Sequence, residues 1–264
     1  MKGDLFYMMK RISIIATAIL FISAAFTATA ADSVLLQYNP AAGTTTKYQM
    51  NLKGNTTVAA YGRSQTTNLE TNMLIQQKVT GVDRVGNVTM ETLIMDGKIL
   101  INGQATQLPE LGNLTTVKMA KDGEILEQSE GMGDATQQNA QMQIRFPKTP
   151  VSVGHTWKSR IEPNPQLPIP METTYEIVSL TEMVNGEKCA VIKSTVTTDK
   201  AAGGSINLDV RADGTIWFAY EKGIMLRNEV RSRMLMLMQN DMGDGNKENI
   251  QTRMNLILRM DVVK

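Results

Sequence analysis

The chain's 264 residues carry 27 lysines and arginines against 26 aspartates and glutamates, with one histidine and one cysteine. That balance excludes nucleic acid and anionic membrane as partners held by bulk charge, and the lone cysteine excludes an internal disulfide, so the fold must be held by its core. The lone histidine excludes paired-His and His-rich zinc sites within one chain.

Lys10 and Arg11 precede an apolar run from Ile12 to Phe26 and then Ala28-Thr29-Ala30. These are the basic region, apolar region and small-residue cleavage site of a secretory signal peptide. The run is shorter than the roughly 20 residues that a membrane-spanning helix requires. Residues 1–30 are therefore expected to be removed, leaving a mature chain, 31–264, that is periplasmic or secreted and has no transmembrane helix. Asp4 is out of place in such a basic region, so translation is expected to begin at Met8 or Met9. Removing 30 residues from 264 leaves 234, ordinary for one β-sandwich or barrel domain. Lys2, Lys10, Arg11 and Asp4 leave with the signal, so the mature balance is 24 basic residues against 25 acidic.

Beyond the signal the apolar pattern has a period of two, the mark of half-buried strands. Lys47 to Lys53 sets Tyr48, Met50 and Leu52 on one face, and Leu69 to Val79 does the same with Leu69, Met73, Ile75 and Val79. The stretch 103–146 is punctuated by Pro109, Gly112, Gly123, Gly131 and Gly133 and reads as a connector, with one short helix predicted from Asp134 to Met142. Pro163 to Pro170 has too few backbone donors for a sheet interior and is expected to be an edge or extended loop. Lys188-Cys189-Ala190-Val191-Ile192 reads as a buried strand holding a packed thiol. From Met225 to Met238 the even positions include Leu226, Val230, Met234, Met236 and Met238, opposite Arg227, Glu229, Arg231 and Arg233. Thr252 to Val262 repeats the alternation, and the intervening Asn240 to Asn246 has turn chemistry, which predicts a long C-terminal hairpin. Strands with one wet face favour antiparallel sheets.

At an offset of 102 residues, Glu70-Thr71 to Lys98 lies over Glu172-Thr173 to Lys200, with Ile75 over Ile177 and Val82 over Val184. The mature chain is thus read as a single β domain with two similar halves, 31–102 and 147–264, flanking the 103–146 connector. The fold class expected is mostly all-β: a curved antiparallel sheet or half-barrel with one short connecting helix.

The lead-in segments Asn39-Pro40-Ala41-Ala42-Gly43-Thr44-Thr45-Thr46-Lys47-Tyr48 and Phe146-Pro147-Lys148-Thr149-Pro150-Val151-Ser152-Val153-Gly154-His155-Thr156-Trp157-Lys158 resemble those of an uncharacterised family of exported bacterial β-proteins. That family is similar to the LolA/LolB/LppX type of envelope fold, a curved antiparallel sheet around a hydrophobic cavity. The resemblance implies lipid or lipopeptide handling. No cysteine stands at the cleavage site for lipid modification, so a freely moving carrier is expected rather than a tethered one.

No Gly-x-Ser-x-Gly elbow accompanies His155, and its turn context beside Trp157 reads as structural rather than catalytic. Asp241, Asp244, Asn246 and Glu248 are oxygen donors whose spacing does not match an EF-hand loop, so a hairpin tip is expected. Met234-Leu235-Met236-Leu237-Met238 offers thioethers on one face, which suit Cu(I); the 19 methionines are spread through the chain, and a methionine-lined core or cavity is the simpler expectation. Asn55, Asn87 and Asn113 head sequons that matter only in a glycosylating host. Methionine is unbranched and adapts to irregular apolar ligands. The function expected is an exported, soluble, non-catalytic protein that binds a hydrophobic ligand, lipid or lipidated peptide, without a cofactor or metal. Its concavity is predicted to be lined by Met50, Met73, Met90, Leu226, Met234, Met236, Met254 and Met260. The alternative is an envelope or secreted interaction module that contacts another protein and has no ligand.

Overall fold

Alternating apolar and polar residues produce long strands wherever the sequence sustains them. In a computed structural model, which describes residues 32–108, 111–129, 143–161, 169–198, 206–241 and 247–263, the elements are β1 (Thr45–Ala60), β2 (Arg63–Val82), β3 (Val88–Ile101), β4 (Gln104–Thr106), β5 (Leu114–Met119), β6 (Ile125–Gln128), β7 (Thr156–Ile161), β8 (Met171–Val184), β9 (Glu187–Thr198), β10 (Ile206–Ala219), β11 (Ile224–Asp241) and β12 (Lys247–Val263). Among the described residues there is no helix. The predicted helix at Asp134–Met142 and most of the proline segment, 163–168, lie outside them. All described residues fall within one unit, Asp32–Lys264.

Local chemistry sets the hairpins. Tyr61-Gly62, Asn102-Gly103 and Asn185-Gly186 each join paired strands by two residues, and all six have positive φ. That is the backbone of a type I′ turn, whose twist matches that of the strands it joins. The predicted C-terminal hairpin is present as β11 and β12, in continuous register from Arg227↔Asp261 to Asp241↔Lys247. The two sequence-similar blocks are hairpins too, β2–β3 and β8–β9. The 103–146 stretch is more than a connector, because it contributes β4, β5 and β6 to the sheet. Its strands are three to six residues long, too short to reveal a period of two among the surrounding glycines.

The described strands form one antiparallel sheet in the order β6-β5-β3-β2-β1-β12-β11-β10-β9-β8-β7, with β4 beside β3; its path does not close into a barrel. The sheet is curled. In a flat sheet β5 and β9 would stand seven strand spacings apart, roughly 34 Å, yet Met119 of β5 and Ala190 and Ile192 of β9 belong to one hydrophobic cluster. Two non-strand segments bridge the arms at one end. Val34 pairs with Val151, and Tyr38, Phe146 and Phe218 meet with ring centroids 4.7–5.4 Å apart. This aromatic plug is fixed by hydrogen bonds as well as packing: the Ile144 N–H donates to Tyr38 Oη at 3.1 Å and Trp157 Nε1 donates to the Arg145 carbonyl at 2.8 Å. Gly123 sits against it with φ +91°, and a Cβ there would drive into the Ile144 carbonyl.

Candidate functional site

Beside the plug the concave face encloses a cavity of about 400 Å³, within the range of small-molecule sites. Seven strands contribute to its wall: β1, β2, β3, β5, β6, β11 and β12. The wall runs from Tyr38, Met119 and Met225 at the plug to Leu52, Ser232 and Leu256 farther along the strands. Register explains the convergence. Ile192, Ile216, Asn228, Met260, Met50 and Met73 form one continuous rung across β9, β10, β11, β12, β1 and β2. Every member faces the concave side, because paired residues in a sheet share a face.

Four of the eight predicted lining residues are brought together here: Met50, Met73, Met90 and Met260. The other four are not. Leu226 belongs to a small cluster on the opposite, convex face with Val184, Cys189 and Ala219. The cause is a β-bulge in β11. Phe218 pairs with Met225 while Trp217 pairs with Arg227, so Leu226 is the extra residue, and such a residue reverses which side chains face inward. Met225 takes the cavity position instead. Met234, Met236 and Met254 keep the inward parity, but the lining ends at the Ser232↔Leu256 pair and Met234↔Met254 is the next pair outward. They are half-buried along the hairpin beyond the cavity.

No charged side chain lines the cavity among the described residues. Tyr38 and Tyr48 are its titratable groups, and burial pushes both phenols above their ordinary value; for Tyr38 the hydrogen bond from the Ile144 N–H opposes the shift without cancelling it. Tyr48 Oη donates to the Met225 carbonyl at 3.1 Å. Both hydroxyls are neutral and engaged. Behind the cavity, on the opposite face of β11 and β12, Arg227 Nε and Arg259 Nε bond the two oxygens of Asp261 at 2.7 and 2.6 Å. Arg227 also stands 5.3 Å from the Trp217 ring centroid. This network braces β11 against β12 directly behind the Asn228↔Met260 pair. Cys189 is fully buried, its thiol pushed up to about 11 by burial, which makes it inert at neutral pH. His155 does not line the cavity.

Sequence reasoning missed Asn228. It is 6% exposed, and its Oδ1 is the buried side-chain polar atom that has no hydrogen-bond partner among the described residues. Leaving such an acceptor unsatisfied costs about 1–3 kcal/mol. The signal was an asparagine at an inward position of a strand that carries Val230, Ser232, Met234 and Met236 on that face. Tyr38 and Met119 were missed for a different reason: they arrive from segments without usable periodicity.

No protein-family model matches this chain, and no match was found among curated proteins. The LolA/LolB/LppX resemblance thus has no family match beside it. Among solved structures, one described for lipid–protein interactions in lipovitellin aligns with 85% of this chain and 26% of its own, at 11% identity and a TM-score of 0.46. The chain spans about a quarter of that protein's length. DynF, from the dynemicin biosynthesis pathway of Micromonospora chersina, aligns over 89% of this chain and 88% of its own, at 11% identity and a TM-score of 0.23. MucB, in complex with the periplasmic part of MucA, aligns over 78% of this chain and 88% of its own, at 12% identity and a TM-score of 0.13.

Proposed function

We propose that the mature chain is an exported, non-catalytic binding protein for a hydrophobic ligand, a lipid or lipidated peptide, held in the methionine-lined cavity. The observation that carries this reading is the uncharged cavity of about 400 Å³ on the concave face of an otherwise well-packed sheet. A concavity of this size leaves apolar wall in contact with water, and a hydrophobic ligand that covered it would remove that surface from water. Methionine at Met50, Met73, Met90 and Met260 lets the wall adapt to chains of irregular shape. Among the described residues the cavity's titratable groups are Tyr38 and Tyr48, both with engaged hydroxyls, so none of those residues offers an acid or base poised near neutral pH. Export rests on the signal-like residues 1–30.

Native mass spectrometry of the protein recovered through its own export route, with organic extraction of co-purified material, tests the reading. A stoichiometric apolar adduct is expected. A clean mass with no uptake of added lipids or lipidated peptides would overturn it and favour the interaction-module alternative.

A further inference from the structure

We propose that the ligand is an amphiphile whose uncharged, hydrogen-bonding head sits on a polar rung of the cavity wall while its apolar chain runs toward Met50, Met73 and Met260; the inference rests on the binding reading above. Thr46, Gln77, Thr92 and Thr115 are successive partners across β1, β2, β3 and β5, and all four line the cavity. Paired residues share a face, so four neutral side chains able both to donate and to accept stand in one continuous row. The row is not a rim. On its plug side lies the rung Val79-Met90-Val117, all buried, and on the other lies Tyr48-Ile75-Ile94, of which Tyr48 and Ile75 are buried. Of the other polar lining residues, Thr44 and Asn113 immediately precede β1 and β5, on the same arm, and Gln143 adjoins the plug at Ile144. On β11 they stand apart: Asn228 and Ser232 pair with Met260 and Leu256, and Val230 faces inward between them.

Filling the cavity changes what these groups meet. Among the described residues, no hydrogen bond to another residue engages the side chains of Thr46, Gln77 or Thr92, so without a ligand they are left to water. A wholly apolar ligand laid over them would remove that water without replacing its hydrogen bonds, and each polar group stranded in this way costs free energy. A head bearing hydroxyls or an amide replaces the lost bonds. A charged head is disfavoured because no charged side chain lines the cavity among the described residues, and its charge would be buried unpaired. Four residues separate Thr46 from Met50, roughly 14 Å along β1, so a chain leaving a head on the rung reaches the methionines. The class selected is that of monoacylglycerols and long-chain amides, with Gln77 and Thr92 as specificity-determining residues.

The test is displacement of the fluorescent apolar probe N-phenyl-1-naphthylamine from the mature protein by three ligands with the same chain: 1-monododecanoylglycerol, methyl dodecanoate and dodecanoate. The quantity read is the affinity for the glyceride divided by that for the methyl ester, because effects on the chain alone cancel in it. From wild type to the double variant Gln77→Leu, Thr92→Val this ratio is expected to fall about tenfold, the equivalent of about 1.4 kcal/mol, with the probe and the methyl ester still bound. Thr92→Val alone, nearly isosteric, repeats the comparison if the double variant does not fold, with a fall of about threefold expected. Ser232→Ala, on β11, should leave the ratio unchanged, and dodecanoate should bind wild type more weakly than the glyceride. A ratio that does not fall in the rung variants, an equal fall in Ser232→Ala, or dodecanoate binding as tightly as the glyceride overturns this inference and leaves the binding reading standing. Failure of the probe and of all three ligands to bind wild type overturns both.

Discussion

At the plug end of the concave face, Tyr38, Phe146 and Phe218 fill the space between the arms of the sheet, and Phe218 and Leu36 have essentially no exposed surface. One rung along the same strands, Met50, Met73 and Met260 border open volume. Both regions are apolar and both lie on the inner face of the same sheet. They differ in what enters from outside the sheet: the segments around Tyr38 and Phe146 insert side chains between the arms, and where they end the arms stay apart. Core and cavity wall are not exclusive here: Met50 and Met260 are buried in a cluster with Tyr48 and Ile75 while bordering the cavity, and Tyr38, Val79, Met90 and Met119 of the plug-end cluster line it too.

Four substitutions break or sharpen that contrast. Phe218→Ala removes a ring with contacts on all sides and should cost about 3–5 kcal/mol in urea unfolding; a loss below about 1 kcal/mol would mean the plug is not core. Met50→Ala, at a wall with space beside it, should cost less than the about 2–5 kcal/mol typical of buried methionine truncation, and should change probe affinity without unfolding the protein. A full core-like cost with unchanged probe binding would place Met50 in packing alone.

Asp261→Asn tests the convex brace. Burial raises the Asp261 carboxyl, but the bonds from Arg259 and Arg227 outweigh it and hold the group below its ordinary value. A depressed carboxylate stabilises the folded state above its unfolded pKa, about 3.9, and that contribution is lost as pH falls through the folded value. Wild type should therefore exceed Asp261→Asn by about 1 kcal/mol or more at pH 7, and the gap should close progressively below about pH 4 in unfolding curves. A gap independent of pH would assign the effect to something other than ionisation. The smallest effect is expected from Met254→Lys, beyond the lining: stability within about 0.5 kcal/mol, since the lysine stem can lie along the apolar surface, and probe binding unchanged. Lost binding in that variant would extend the site along the hairpin.

Much of this was legible in the residue order. Alternation at Tyr48 to Leu52, Met73 to Val79 and Leu256 to Met260 identifies the inner face, and those positions line the cavity. Asn102-Gly103 and Asn185-Gly186 carry the strongest short-range hairpin signal there is, and both are hairpin turns. Leu226 was illegible, because a bulge is set by pairing with β10 and leaves no mark in the alternation of β11 alone. Met234, Met236 and Met254 show the complementary limit: their parity was readable, but the end of the cavity was not.

The sequence by itself determined an all-β chain, its long C-terminal hairpin and the inward parity of most strands, because period and turn residues are local properties. Only the tertiary structure decided that the sheet curls, that residues near Tyr38 and Phe146 plug one end, and that Asn228 lies buried in the cavity wall. Those depend on which distant segments meet, and a pairing between residues more than a hundred positions apart, such as Val34 with Val151, is encoded in no single stretch of chain.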